Sequence, residues 1–180
     1  MVSLVGQLHD DGFSNIILVD DGSLIANRKY FKTCKETCHC KIIRHVVNFG
    51  KGIALKSAFN YILEQRPDIK GAVTVDCDGQ HVLPDINTCA KLTYEHPDSL
   101  ILGCRQFDDK EIPLRSRFGN KLTRQMIRLL CGIHVSDTQT GLRGLPTPLI
   151  REHFANVKGE RFEYCLLYTS DAADDLIGVD

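Results

Sequence analysis

The chain has 180 residues, 43% hydrophobic and 25% charged, with a net charge of −1, enough for one domain with a sizeable core. That composition is ordinary for a globular protein, no apolar run reaches bilayer-spanning length, and no signal-like segment opens the sequence. The eight cysteines are scattered through what read as strands and helices, the pattern of buried thiols in a reducing, cytoplasmic compartment. Cys34, Cys38, His39 and Cys40 cluster, but no second ligand pair stands at finger or ribbon spacing, so they read as thiols rather than a zinc site.

Met1 to Gly12 reads as the tail of an amphipathic helix ending in a glycine cap. A doubly wound sheet ordinarily places a strand before such a helix, so the first strand is expected to be missing. Asn15-Ile-Ile-Leu-Val19 is a short apolar run and hence a buried strand. It ends in Asp20-Asp21-Gly22-Ser23, two acids at a carboxyl edge where a nucleobase or ribose can be read, or else a turn capped by Ser23. A helix is predicted from Leu24 to about Lys35, and a strand over Lys41–Val47. In Asn48-Phe-Gly-Lys-Gly-Ile-Ala, Gly50 and Gly52 let backbone approach a ligand, and the helix that follows, to about Gln65, offers free amides to an anion. Lys51 adds a point charge. The spacing is not that of a Walker loop.

Ala72-Val-Thr-Val-Asp-Cys-Asp-Gly-Gln-His81 is the centre of the sequence. An apolar run without alternation suits a strand buried on both faces, and ligands of such sheets bind beyond the carboxyl ends. Asp76 and Asp78 fall at that edge. Two hard oxygen donors one residue apart, completed by water and ligand phosphates, suit Mg²⁺ or Mn²⁺, and Gln80 adds a neutral oxygen. A simple Asp-Gly turn explains Asp-x-Asp alone equally well.

Pro84 starts a helix predicted to run to about His96, and Ser99–Gly103 is another strand. Gln106–Pro113 reads as a loop. The helix predicted from about Arg115 to Cys131 turns Phe118, Leu122, Met126 and Leu129 to the core. A second stripe, Arg117, Lys121, Arg124 and Arg128, is either a solvated basic face or a surface for phosphates and anionic lipid headgroups. Asp137–Pro146, polar and glycine-rich around Arg143, looks like a site wall rather than a core element.

The last sixteen residues, Cys165–Asp180, resemble the translation of a transposase-type sequencing-library adapter. Residues 1–164 are therefore expected to be one N-terminally truncated domain and 165–180 a non-native tail. Without the tail's four acids, 22 Lys and Arg face 19 Asp and Glu, a net charge of +3.

Val-Asp-Asp-Gly-Ser, Asn-x-Gly-Lys-Gly-x-Ala, Asp-x-Asp-Gly-Gln-His, Gly-x-Arg and Asp-Thr-Gln-Thr-Gly-Leu-Arg, in that order, resemble the family-2 glycosyltransferases. Within them the polyprenyl- and dolichyl-phosphate sugar transferases are most similar. The resemblance implies a GT-A fold, an α/β architecture with a mainly parallel, Rossmann-like sheet and helices on both faces. It implies inverting transfer from a nucleotide-diphosphate sugar, UDP- or GDP-linked, to a lipid-phosphate acceptor, with peripheral contact at the membrane surface and no nucleic-acid partner. Asp20 and Asp21 would meet the nucleoside, and Lys51 would lie near the nucleotide. Asp76, Asp78 and Gln80 would hold the metal. Arg105 and Arg117 would bind the acceptor's phosphate, with Asp137 and Arg143 on the sugar or acceptor side. Asp78 would act as base only for an alcohol acceptor. Two departures are the absent opening strand and the break in the family pattern after Phe162-Glu163-Tyr164.

Two other functions fit parts of the pattern. Asp-x-Asp after a strand also resembles the haloacid-dehalogenase phosphatases, though these put Thr or Val where Gln80 stands. A nucleotide-sugar-binding fragment without turnover is the other.

Overall fold

In the computed structural model, which describes residues 1–103, 140–156 and 176–179, helices and strands alternate from Val2 to Gly103. Helix α1 (Val2–Asp10) turns Val5 and Leu8 inward. It stops where Gly12, at φ +99°, donates to His9 O and Phe13 N–H reaches back to Leu8 O. Those two bonds satisfy the last carbonyls, and the positive φ is why glycine suits the position.

Strand β1 (Ile17–Asp21) pairs in parallel with β2 (Lys41–His45), and helix α2 (Arg28–Cys38) crosses between them after one 3₁₀ turn at Ile25–Asn27. Helix α2 thus starts four residues later than predicted, and β2 ends two residues earlier, with Val46 and Val47 exposed beyond it. Helix α3 (Lys51–Gln65) leads to β3 (Gly71–Thr74), and α4 (Leu83–Glu95), with Pro84 in its first turn, leads to β4 (Leu100–Gly103). Beyond them come β5 (Arg143–Pro146), α5 (Thr147–Asn156) and β6 (Leu176–Val179).

The second sheet has the order β3-β5-β4-β6. Strand β5 is antiparallel to both β3 and β4, so those two run parallel to each other with β5 wedged between them. The α/β architecture stands, but within the segment expected as a site wall residues 143–146 form a core strand. Arg143 to Pro146 are buried throughout. Its glycine is a packing device: a side chain at Gly144 would collide with Thr93 and Cys89 of α4. Polar and glycine content, read as the mark of a site wall, here reflects close strand–helix approach.

Helices cover both faces because strand residues alternate. Leu100 and Leu102 of β4 join Leu145 with Phe59 and Ile62 of α3 and Leu149 and Ile150 of α5. Ile101, between them, joins Leu142 with Leu8 of α1 and Ile86 and Cys89 of α4. Leu18 belongs to a third cluster with Val5, Phe31, Cys34, Cys38 and Cys40, so these cysteines are apolar packing between α1, α2 and the strands. Burial pushes the Cys40 thiol up to about 11 and the Cys89 thiol to about 12. Leu176–Val179, set aside as tail, lies parallel against β4. A β-prone Leu-Ile-Gly-Val stretch suits an open sheet edge whatever its origin. The predicted loop at 106–113 and helix at 115–131 lie outside the described residues.

Candidate active site

The parallel register of β1 and β2 sets Asp20 opposite Arg44 and Asp21 opposite His45 at the carboxyl ends of both strands. Asp20 is 1% exposed. Its Oδ1 accepts the Ser23 N–H at 2.9 Å and its Oδ2 accepts Arg44 Nε at 2.7 Å. Burial opposes the charge, yet hydrogen bonds from Ser23 and Arg44 outweigh it and hold the carboxyl below the ordinary Asp range.

Asp21 organises the glycine-rich turn. Its carboxylate accepts the N–H groups of Phe49 at 2.9 Å and Gly50 at 2.8 Å, and lies 2.7 Å from His45 Nδ1. The other His45 nitrogen lies 2.9 Å from Ser57 Oγ on α3. Burial again disfavours the anion, but His45 and the two backbone amides prevail and lower its pKa. The turn between β2 and α3 is thereby fixed to the end of β1. Gly22 permits this closeness, since a side chain there would strike the backbone of Val47 and Asn48.

One residue beyond Gly50, Lys51 reaches the rim of the neighbouring strand. Its Nζ is 2.7 Å from Asp76 Oδ1 and 2.8 Å from Oδ2. Asp76 also packs so closely on Gly141 that any side chain there would overlap the carboxylate. Thr74 Oγ1 donates to Gly141 O at 3.1 Å, and Thr140 Oγ1 donates to Gly103 O at 2.6 Å, fastening residues 140–142 across the ends of β3 and β4. Asp78 is exposed, and its Oδ1 accepts the Gln80 N–H at 3.0 Å, which closes the turn carrying both residues.

Of the predicted residues, Asp20, Asp21, Lys51 and Asp76 are drawn into one connected rim, with Asp78 and Gln80 on the adjoining turn. Arg143 is buried on β5, and its Nε donates to Thr140 O at 3.0 Å. Arg105, Arg117 and Asp137 lie outside the described residues. Arg44, His45 and Ser57 were not foreseen, whereas Thr140 and Gly141 belong to the segment expected as a site wall. The first two carried a signal, because two bases closing the strand next to one closed by two acids face them in parallel register.

Residues 2–154 match the family model described as glycosyl transferase family 2. An uncharacterised protein of Methanocaldococcus jannaschii is 31% identical over 160 residues, 87% of this chain and 63% of that protein. The UDP-N-acetylglucosamine–dolichyl-phosphate N-acetylglucosaminyltransferase of Methanococcus voltae is 30% identical over 179 residues, 91% of this chain and 70% of that enzyme. The chain therefore spans only part of the curated relatives it matches, less than two thirds of the first. The family match runs from α1 into α5 and takes in both acidic strand ends: the chain belongs to glycosyl transferase family 2.

Proposed function

We propose that this protein is a metal-dependent, inverting glycosyltransferase that moves a sugar from a UDP- or GDP-sugar to a polyprenyl phosphate. The observation that carries the reading is Lys51, which joins the Asp21-bound turn to Asp76 and so brings two acidic strand ends into one rim. Family membership supports sugar transfer, and the activity for which the Methanococcus voltae relative is named supports a lipid-phosphate acceptor.

Among the described residues no group of three or more His, Cys, Asp or Glu gathers as a closed metal cage. The chemistry that fits is Asp76 and Asp78 as two carboxylate ligands, with Gln80 nearby and the remaining positions left to water and donor phosphates, the habit of Mg²⁺ and Mn²⁺. Asp76 already accepts a cation, the Lys51 ammonium. A divalent ion bound there would offset charge that builds on the departing diphosphate. Lys51 then turns to the phosphates, next to the amides at the start of α3. Asp20 and Asp21 shape the nucleoside side of the crevice.

A phosphomonoester has a second pKa near ~6, so at neutral pH it is largely dianionic and already nucleophilic. The site then needs positioning cations more than a base. Arg105 and Arg117 take that role, with Asp137 and Arg143 toward the sugar. The enzyme works at the cytoplasmic face of a membrane, meeting its acceptor peripherally; among the described residues no helix is long and apolar enough to cross one.

The test is transfer of labelled sugar from UDP- and GDP-sugars, with Mn²⁺, to polyprenyl phosphate or to the free polyprenol. The phosphate is expected to accept sugar, the alcohol to fail, and Asp78→Ala to abolish turnover. Donor binding without transfer favours a binding fragment. An aspartyl-phosphate trapped as its beryllofluoride analogue favours the phosphatase.

A further inference from the structure

Asp20 and Asp21 close β1 on the nucleoside side of the crevice, yet each of their four carboxylate oxygens already accepts a hydrogen bond. Asp20 is buried, with one oxygen on the Ser23 amide and the other on Arg44. Asp21 holds the Phe49 amide and His45 with one oxygen and the Gly50 amide with the other. What this pair presents to a ligand is therefore the turn that it holds, and the side chain on that turn is Phe49.

Phe49 is 44% exposed although its backbone is pinned. Its ring centroid lies 5.5 Å from that of His45, with the two planes at 70°. In such an edge-to-face pair, whichever ring supplies the edge, the imidazole leaves at least one face of the phenyl ring uncovered. Both nitrogens of His45 are engaged, one by Asp21 and one by Ser57 of α3, so the imidazole is a fixed backing rather than a mobile neighbour. Among the described residues two other large aromatic side chains are exposed. The Tyr30 ring carries the Lys29 ammonium, 5.1 Å from its centroid, and Tyr94 stands at the far end of α4. Of the three, Phe49 alone lies on a turn that leads from a strand's carboxyl end into the helix offering amides to phosphate.

The spacing suits a nucleotide. Phe49 precedes Lys51 by two residues, so their Cα atoms lie within ~7.6 Å of each other. In a nucleotide one ribose separates the phosphates from the base, a step of the same order. With the diphosphate at Lys51 and the first amides of α3, the base reaches the Phe49 ring. Every nucleobase has a π-face, and an aromatic side chain binds it by stacking without reading its edge.

We propose that Phe49 is the platform on which the nucleobase of the donor stacks, with His45 as its backing. The inference rests on the nucleotide-sugar reading above, and it assigns the base to a ring rather than to the two acids.

Binding of UDP, GDP and inorganic pyrophosphate, each with Mn²⁺, is measured by calorimetry on the unaltered chain and on Phe49→Ala, Phe49→Leu and Phe49→Tyr. The Ala and Leu variants are expected to bind both nucleotides about tenfold more weakly, GDP suffering more because a purine covers more of the ring. The Tyr variant keeps the ring and should keep the affinity. Pyrophosphate, which has the phosphates and no base, is expected to bind all four proteins alike. The chain contains no tryptophan, so Phe49→Trp adds a single indole. Its emission should be quenched by both nucleotides and not by pyrophosphate. The emission of Val46→Trp, at a position 90% exposed in the same turn, should not change. Nucleotide affinity in Phe49→Ala or Phe49→Leu equal to that of the unaltered chain overturns the inference and leaves the transferase reading standing. Equal loss of pyrophosphate also overturns it, since Phe49 would then merely support the turn. An unaltered chain that binds neither nucleotide overturns both.

Discussion

The Lys51 ammonium grips both oxygens of Asp76, at 2.7 and 2.8 Å, although the two side chains stay 34% and 37% exposed. A pair so open to water contributes at most ~1 kcal/mol and opens readily. On the proposed function Lys51 holds the position a divalent ion would take, and ion and ammonium would compete for one carboxylate. Lys51→Met is expected to tighten Mn²⁺ binding severalfold in the absence of nucleotide. It is expected to weaken nucleotide-diphosphate binding by about tenfold, or ~1.4 kcal/mol, because a phosphate-facing charge is gone. Calorimetric titration with Mn²⁺ alone and with UDP or GDP separates the two effects. Unchanged Mn²⁺ affinity would count against competition at Asp76.

Asp21 links three elements through one carboxylate: β1, the turn at Phe49–Gly50, and α3 by way of His45 and Ser57. Asp21→Ala strands two backbone amides and one face of His45. The expected cost is ~1–3 kcal/mol, nearer the lower figure because water can reach the Phe49 amide. Asp21→Asn keeps an acceptor oxygen and should recover part of the loss. Thermal unfolding measures the stability, and donor titration should show weakened binding in Asp21→Ala as the turn loosens. Donor affinity equal to that of the unaltered protein would show that the turn does not depend on Asp21.

Acid should unfold this region through the same carboxylates. Asp20 and Asp21 both have pKa values held below the ordinary Asp range when folded. Below the unfolded value near ~3.9 the unfolded chain therefore binds more protons than the folded one. The stabilisation is fully present above that pH and is lost as pH falls toward the depressed folded values. Asp20→Asn, which cannot ionise, should have a lower Tm than the unaltered protein at pH 6 and approach it at pH 3. Parallel curves across that range would show that Asp20 does not carry the acid sensitivity.

Much of this site was legible in the residues themselves. The apolar runs at Ile17–Val19 and Ala72–Val75 each deliver acids to a strand end, and the structure sets those acids on one rim. Gly50 marked the start of a helix, as its N-cap, and Gly52 falls in that helix's first turn. Local pattern could not reveal that Asp20 and Asp21 are already bonded, because Arg44 and His45 reach them only through strand pairing. It also misjudged Arg143–Pro146, whose glycine and arginine suggested a site wall rather than a core strand. Burial of such residues is decided by which helix lies across them, a property of tertiary packing.

Gly141 and Gly144, three residues apart, separate function from stability. A methyl group at Gly144 would press on Thr93, whose hydroxyl is fixed by a 2.7 Å bond to Cys89 O, inside a fully buried strand. Neither neighbour can yield, so Gly144→Ala should cost ~1–3 kcal/mol. At Gly141 the obstacle is the Asp76 carboxylate, which is partly exposed and has room to swing aside. Gly141→Ala should leave Tm within about 2 °C, yet displace Asp76 from Lys51 and weaken metal-dependent donor binding at least tenfold. Thermal unfolding and nucleotide titration with and without Mn²⁺ on both variants give the comparison. If Gly141→Ala loses as much stability as Gly144→Ala while binding donor normally, then Asp76 is a packing residue and the rim is not a metal site.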